Sequence, residues 1–298
     1  MTDTPAAGKT PRHPGSIFLF QAFGIPVFVH WTWGLLVAFV VATDFLGMGP
    51  AMNVVALIGL FAIVTLHEFG HALAARSVGG TADRIVLMPL GGLAYIQPPA
   101  RPWPFVWAVV AGPLVNVALI PVFAVLVAVT GALPAMTQAG VSFAGMTDLQ
   151  EMVFWLASVN VILLVFNMLP IYPLDGGQTL QGILWVFMGR ASSLRVAATI
   201  GLVASLAIGV LMLVSGAVMR SPFLFLIAIF LAMESFRGLA VAKYLATIER
   251  DEGQHVEPWE LRVRRSPSSG PRGPFGGGPG PGSGRGDDVI EGEVVDRR

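Results

Sequence analysis

Residues 52–77 form an apolar stretch long enough to cross a bilayer, yet three ionisable residues, His67, Glu68 and His71, lie inside it. Ionisable groups are costly at that depth, and the backbone there must satisfy its own hydrogen bonds. The stretch is therefore expected to be a helix whose polar side chains face protein. His67 and His71 are four apart, so they share one helix face and can grip one metal ion. Glu68, within His67-Glu68-Phe69-Gly70-His71, is a candidate general base for a water at that metal. The bland alternative is a polar cluster that only packs helices together, and such clusters seldom carry ligand spacing.

The rest of the chain is of the same kind. Of 298 residues, 54% are hydrophobic and 12% charged, which is too apolar for a soluble domain and reads as a multi-span membrane protein. Stretches near 30–48, 52–77, 103–130, 151–170, 193–216 and 221–245 are each about long enough to span. Residues 178–189 are apolar but short, and suit an interfacial or partly inserted helix. The expected fold is an all-α polytopic membrane protein of about six transmembrane helices, with short re-entrant strand elements near the active site. Ile25–His30 carries Pro26 and suits a strand or re-entrant piece. Arg84–Met88 and Leu93–Ile96 suit two strands with Gly91-Gly92 at the turn.

Arginine and lysine set the expected orientation. With the N-terminus inside, inner segments hold Lys9, Arg12, Arg76, Arg84, Arg101, Arg190, Arg195, Arg237, Lys243 and Arg250, and Arg220 is the outer exception. Both termini are therefore expected in the cytoplasm, with an even number of spans, in what is read as a bacterial inner membrane. No cleaved signal peptide is expected in polar residues 1–16. The expected division is a polar N-terminal tail (1–16), a membrane domain (17–246) and a disordered Gly/Pro-rich cytoplasmic tail (247–298). The acidic end, Asp287 to Val295, could add as a strand to a cytoplasmic partner, or be only a solvated tail. The formal net charge is zero, which gives no reason to expect nucleic acid.

Cysteine is absent, so a metal must be held by His, Asp, Glu or water. A tetrahedral catalytic zinc takes three protein ligands and keeps one position open. The third candidate is Asp175, in Asn167-Met168-Leu169-Pro170-Ile171-Tyr172-Pro173-Leu174-Asp175-Gly176-Gly177, where prolines end the fourth span and glycines let the backbone turn. Under the expected topology, spans two and four both run inward, so His67, His71 and Asp175 arrive at one depth. The alternative for Asp175 is a turn or helix cap.

These motifs, with Ala111-Gly112-Pro113-Leu114-Val115-Asn116 and Gly91-Gly92, resemble the site-2 proteases, intramembrane zinc metalloproteases, over about residues 20–245. The resemblance implies one zinc held by His67, His71 and Asp175, with Glu68 as base. It implies cleavage of a substrate helix of another membrane protein in the lipid bilayer, in regulated signalling, with Gly91 and Gly92 near the substrate backbone. The chain looks like the branch that processes sporulation factors. It departs from the family in showing no PDZ domain and no regulatory domain after the last span.

Asn116 is read either as a group that orients the substrate carbonyl or stabilises the oxyanion, or as a helix-to-helix hydrogen bond. His30 reads mainly as an interfacial histidine, and Glu234 and Arg237 as an ion pair. Trp31, Trp33, Trp103 and Trp107 fall near span ends as interface anchors. The rival function is a metal-ion transporter using the same His/Asp/Glu cluster. It would need several sites along a path and gives Glu68 no task.

Overall fold

Helix α2 (Pro50–Ser77) is the centre on which the rest is built. It follows β1 (Ser16–Ala22), β2 (Ile25–His30) and α1 (Thr32–Thr43), and leads into β3 (Thr81–Met88) and β4 (Gly91–Gln97). Then come α3 (Pro102–Thr130), β5 (Ala135–Thr137), β6 (Gly140–Ser142), α4 (Asp148–Asn167), α5 (Asp175–Met188), α6 (Arg190–Val214), α7 (Ala217–Arg220) and α8 (Pro222–Gln254). The computed structural model describes residues 15–254 apart from 45, 90, 138 and 139. Residues 1–14 of the polar N-terminal tail and the acidic C-terminal segment fall outside the described residues, and Ser16, the last residue of that tail, opens β1. The chain divides into the units Met1–Gly253 and Gln254–Arg298, and the first contains both sheets and all the helices up to Gly253.

Helix ends follow local chemistry. Pro50 and Pro102 open α2 and α3, where a missing N–H costs nothing. Gly131, at φ 67°, closes α3 in a left-handed conformation. A capping box starts α4: the Gln150 N–H donates to Thr147 Oγ1 at 3.3 Å and the Thr147 N–H to Gln150 Oε1 at 2.9 Å. That box sets the helix start at Asp148, three residues before the expected edge of the fourth span.

Five helices, α2, α3, α4, α6 and α8 (to Arg250), are long and apolar enough to cross a membrane. The expected first span, 30–48, is different. Its helix α1 has 12 residues, about 18 Å, and the chain before it is the extended strand β2. The short apolar helix expected over 178–189 is α5, which starts at Asp175. Helix α8 runs to Gln254, beyond the expected domain edge at 246.

The strands are more than isolated re-entrant pieces, so the fold is helical with a small sheet rather than all-α. Their order is β1-β2-β3-β4, with β2 and β3 parallel and the two outer pairs antiparallel. Strand β1, Ser-Ile-Phe-Leu-Phe-Gln-Ala, is rich in β-formers and lies at the margin of the expected membrane domain. Ile25, Val27, Ile85 and Leu87 of the central strands are fully buried and share a cluster with Phe69 and Ala72 of α2. The sheet therefore packs on the face of α2 beside Glu68.

On the other side α2 meets α3 through small residues. A Cβ at Gly70 would lie 2.6 Å from the Ala111 carbonyl oxygen, and Ala108 of α3 is fully buried. Close backbone approach of this kind is how helices associate in lipid. The outward faces are apolar: Ile162, Val203 and Leu211 are each more than 60% exposed. A soluble surface would not carry so much exposed apolar side chain.

Candidate metal centre

Helical spacing alone brings His67 and His71 together, with Nε2 atoms 3.1 Å apart. Both are buried, as is Glu68. Asp175 reaches the same point from the start of α5: its Oδ2 lies 3.1 Å from His67 Nε2 and 3.5 Å from His71 Nε2. Among the described residues these three form the one group of His, Asp or Glu placed to hold a metal ion.

Protons decide what can sit between them. His71 Nδ1 is 2.9 Å from the carbonyl oxygen of Ala108, which can only accept, so Nδ1 carries the hydrogen. His67 Nδ1 is 2.6 Å from Asn116 Oδ1 and donates in the same way. Each neutral ring then points a bare lone pair inward. Asp175 Oδ2 is buried and has no hydrogen-bond partner. With both rings neutral, these three acceptors repel one another unless a cation, a metal ion or a shared proton, lies between. Tetrahedral zinc with nitrogen and oxygen ligands at about 2.05 Å sets its ligand atoms about 3.3 Å apart. The observed 3.1, 3.1 and 3.5 Å fit that spacing.

Two glycines make room. A Cβ at Gly112 would collide with the His71 ring, and one at Gly92 with the Glu68 side chain, 2.5 Å from its Oε1. Gly92 thus lies directly against the expected base, and Gly91 begins β4 at φ 139°. The Ala94 N–H donates to Glu68 Oε2 at 2.9 Å. An N–H bonded to Glu68 is not shared with β3, so it points off the open edge of β4, and the Glu68 carboxylate lies along that edge.

Asn116 is fully buried behind His67, with its amide nitrogen donating to Asn160 Oδ1 at 2.9 Å. Asn160 in turn donates to the Asn116 backbone carbonyl at 3.0 Å. Sequence reasoning does not single out Asn160, although a signal exists: it is an amide in the middle of the apolar run of α4, where amides need partners.

The loop before Asp175 is fixed from several directions. Cβ atoms at Gly176 and Gly177 would strike the carbonyl of Met168 and the backbone of Ile171 and Tyr172. Ser235 of α8 donates to the Tyr172 carbonyl at 2.6 Å. Gly201 of α6 and Gly238 of α8 leave space for Tyr172, where added Cβ atoms would lie 2.6 Å from its oxygen and 2.7 Å from its ring. Burial, and then the charge of Glu234, push the Tyr172 phenol above its usual range, so it stays neutral at physiological pH. Glu234 also pairs with Arg237 at 2.5 Å.

The other singled-out residues lie away from this point. His30 Nδ1 is 2.8 Å from the hydroxyl of Thr32, at the start of α1. Trp31 and Trp103 are exposed, and Trp33 is buried in the cluster under the sheet. Trp107 donates to Ser77 Oγ at 3.0 Å.

Residues 55–215, which hold all of the centre, match the sequence model of Peptidase family M50. The chain belongs to that family. Among M50 relatives it is 28% identical over 215 residues to a zinc metalloprotease of Methanocaldococcus jannaschii, covering 72% of this chain and 58% of that protein. It is 33% identical over 127 residues to stage IV sporulation protein FB of Bacillus subtilis, covering 42% of this chain and 38% of that protein. The chain spans about half the length of the curated relatives it matches. Among solved structures it is similar to the site-2 protease from Methanocaldococcus jannaschii, at 28% identity and TM-score 0.53, covering 75% of this chain and 95% of that one.

Proposed function

We propose that this chain is a zinc-dependent intramembrane endopeptidase that hydrolyses a peptide bond in or near a transmembrane segment of another membrane protein, in regulated signalling. The observation that carries this reading is the convergence of His67 Nε2, His71 Nε2 and Asp175 Oδ2 on one point, next to the buried carboxylate of Glu68. One zinc ion bound there would supply Lewis-acid chemistry to a water molecule and to a peptide carbonyl. Glu68 takes a proton from that water and later returns it to the leaving amine. The Ala94 amide holds one oxygen of Glu68, which fixes where the proton is received.

A substrate helix hides its peptide bonds in its own hydrogen bonds, so it must unwind before it is cut. The open edge of β4, along Gly91 and Gly92, can take the unwound segment as an added strand, with its backbone beside Glu68. Asn116 is assigned to holding His67 rather than to the substrate, because its side chain is engaged on both ends. A metal transporter would need further sites along a path, and among the described residues there is one group.

Sheet parity supports the topology. The chain leaves β2 through α1 and returns through α2 to β3, the neighbour of β2 in the same sheet. Helix α2 has 28 residues, about 42 Å, enough to cross. An outward leg of β2 and α1 that also crosses would make six crossings and put both chain ends on one side, which is the topology we favour. The basic residues favour the cytoplasm for that side, and the membrane is read as a bacterial inner membrane. The membrane domain, 17–246, carries the chemistry, and the Gly/Pro-rich tail serves at most to recruit a cytoplasmic partner. Truncation after Glu260 is accordingly expected to leave zinc content intact and cleavage of a short model membrane segment within a few-fold in a liposome time course.

The deciding experiment compares membranes containing wild type with membranes containing Glu68→Gln. The amide is nearly isosteric but cannot take the proton, so cleavage is expected to fall by about 10² or more while zinc content holds. Uncleaved precursors that accumulate only in the variant identify the substrates. Cleavage at near wild-type rate would sink the assignment of Glu68.

A further inference from the structure

We propose that Asn160 is a positioning residue for the metal site, one that sets the direction of a hydrogen-bond chain ending at His67. This role for Asn160 rests on the zinc reading of the site. The chain of bonds starts at a group with no choice. The backbone carbonyl of Asn116 can only accept, so the Asn160 side chain must turn its Nδ2 towards it, at 3.0 Å. That leaves Asn160 Oδ1 facing the side chain of Asn116, which must answer with its own Nδ2, at 2.9 Å. Asn116 Oδ1 is then the atom presented to His67, and a carbonyl oxygen at 2.6 Å requires hydrogen on Nδ1. The far nitrogen of His67, Nε2, is thereby bared towards His71 and Asp175.

Without Asn160 the Asn116 amide has no preferred sense. Turned over, it offers N–H to His67 Nδ1 and favours the ring with hydrogen on Nε2, the form with no lone pair towards His71 and Asp175. His71 needs no such device, because its partner is itself a backbone carbonyl. The two asparagines are both fully buried, in α3 and α4, so water does not replace the missing bond. The arrangement transmits polarity across three helices, from α4 through α3 to α2, and no residue in it except His67 touches the metal point.

The test measures zinc release from the purified full-length protein in detergent into an excess of a chelating dye. Asn160→Leu keeps bulk and removes both hydrogen bonds, and Asn160→Ala is the smaller alternative should the leucine variant fail to fold. Each is expected to release zinc about 10-fold faster than wild type or more, the scale of lost outer partners of metal ligands. The distinguishing variant adds Asn116→Asp to either one. A carboxylate presents oxygen to His67 whichever way it turns, so the double variant is expected to recover slow release. A purely packing role for Asn160 would not be repaired in this way. Wild-type release rates in both single variants would overturn the proposal, as would failure of Asn116→Asp to restore retention in a variant that unfolds at the wild-type temperature. A wild type that takes up no zinc would overturn the metal reading itself, and the role of Asn160 with it. A measurement on the unsubstituted chain covers variants that do not fold. In metal-free protein, at a pH where imidazole is neutral, 15N spectra of labelled histidine should place the His67 hydrogen on Nδ1, and hydrogen on Nε2 would overturn the proposal.

Discussion

The two halves of the metal centre are built on different principles. His67, Glu68 and His71 come from five consecutive residues of α2, and helical geometry by itself brings the two imidazoles to 3.1 Å. Asp175 comes from the other end of the fold, after a loop that leaves α4 and turns into α5. That loop is shaped by its own glycines at 176 and 177, and clamped at Tyr172 by Gly201, Ser235 and Gly238 from α6 and α8. The ligand spacing of one half is local, although its rings are oriented by Asn116 and Ala108 of α3, with Asn160 of α4 behind Asn116. The other depends on packing between residues more than 60 positions apart in sequence. Changes in α6 and α8 should therefore reach the metal point through Asp175 rather than through the histidines.

The largest expected effect removes the ligand from the long-range half. Asp175→Ala leaves two histidines and a poor site, so purified protein should carry far less than the one zinc per chain expected of wild type. His71→Ala should do the same. Elemental analysis checks both. Full zinc occupancy in Asp175→Ala would remove the long-range half from the metal site, and the comparison would collapse.

A smaller effect is expected from the clamp. Gly238→Val puts a side chain where even an added Cβ would lie 2.7 Å from the Tyr172 ring. Overpacking of this kind costs about 1–3 kcal/mol, and the strain falls on the loop that carries Asp175. Zinc release should speed up several-fold while the spacing of His67 and His71 is kept. Cobalt substitution reads this directly: the visible spectrum should change with the geometry of one ligand, not disappear. An unchanged spectrum and unchanged release would mean that the Tyr172 clamp does not govern the site.

The same division explains what is legible in the sequence. Ligand spacing within α2 follows from helical geometry, so His67, Glu68 and His71 can be read as a unit from one line of text. Asp175 is legible because prolines and paired glycines mark an abrupt turn at the end of an apolar run. The apolar stretches mark five helices of crossing length to within a few residues. The four-stranded sheet is less visible. Strand β1 is rich in β-formers yet is not singled out in the sequence, and its pairing with β2, like that of β2 with β3, is set by contacts that no local window contains. The supports of the site are also hidden. Asn160, Ser235 and Gly238 act through partners 44, 63 and 66 positions away, and only the fold brings those partners together.

The finest discrimination between the two halves comes from Ser235→Ala. Its hydroxyl makes a single bond, to the Tyr172 carbonyl at 2.6 Å, and its removal leaves the glycine contacts of the clamp in place. One such bond contributes about 1 kcal/mol, and a buried carbonyl left unpaired adds to the loss. Only the part of that loss felt at Asp175 counts, so zinc retention should weaken by about two- to threefold, where a full 1.4 kcal/mol would be a factor of about ten. The variant should unfold at a slightly lower temperature and bind zinc with slightly faster release, in the same direction as Gly238→Val and by less. Combining the two substitutions sharpens the point. Both act on Tyr172, so their effects on zinc release should fall short of the product of the single effects, as expected for residues that share a partner. Effects that multiply would mean that α8 reaches the metal by two separate routes, and the aspartate half would not depend on one clamp.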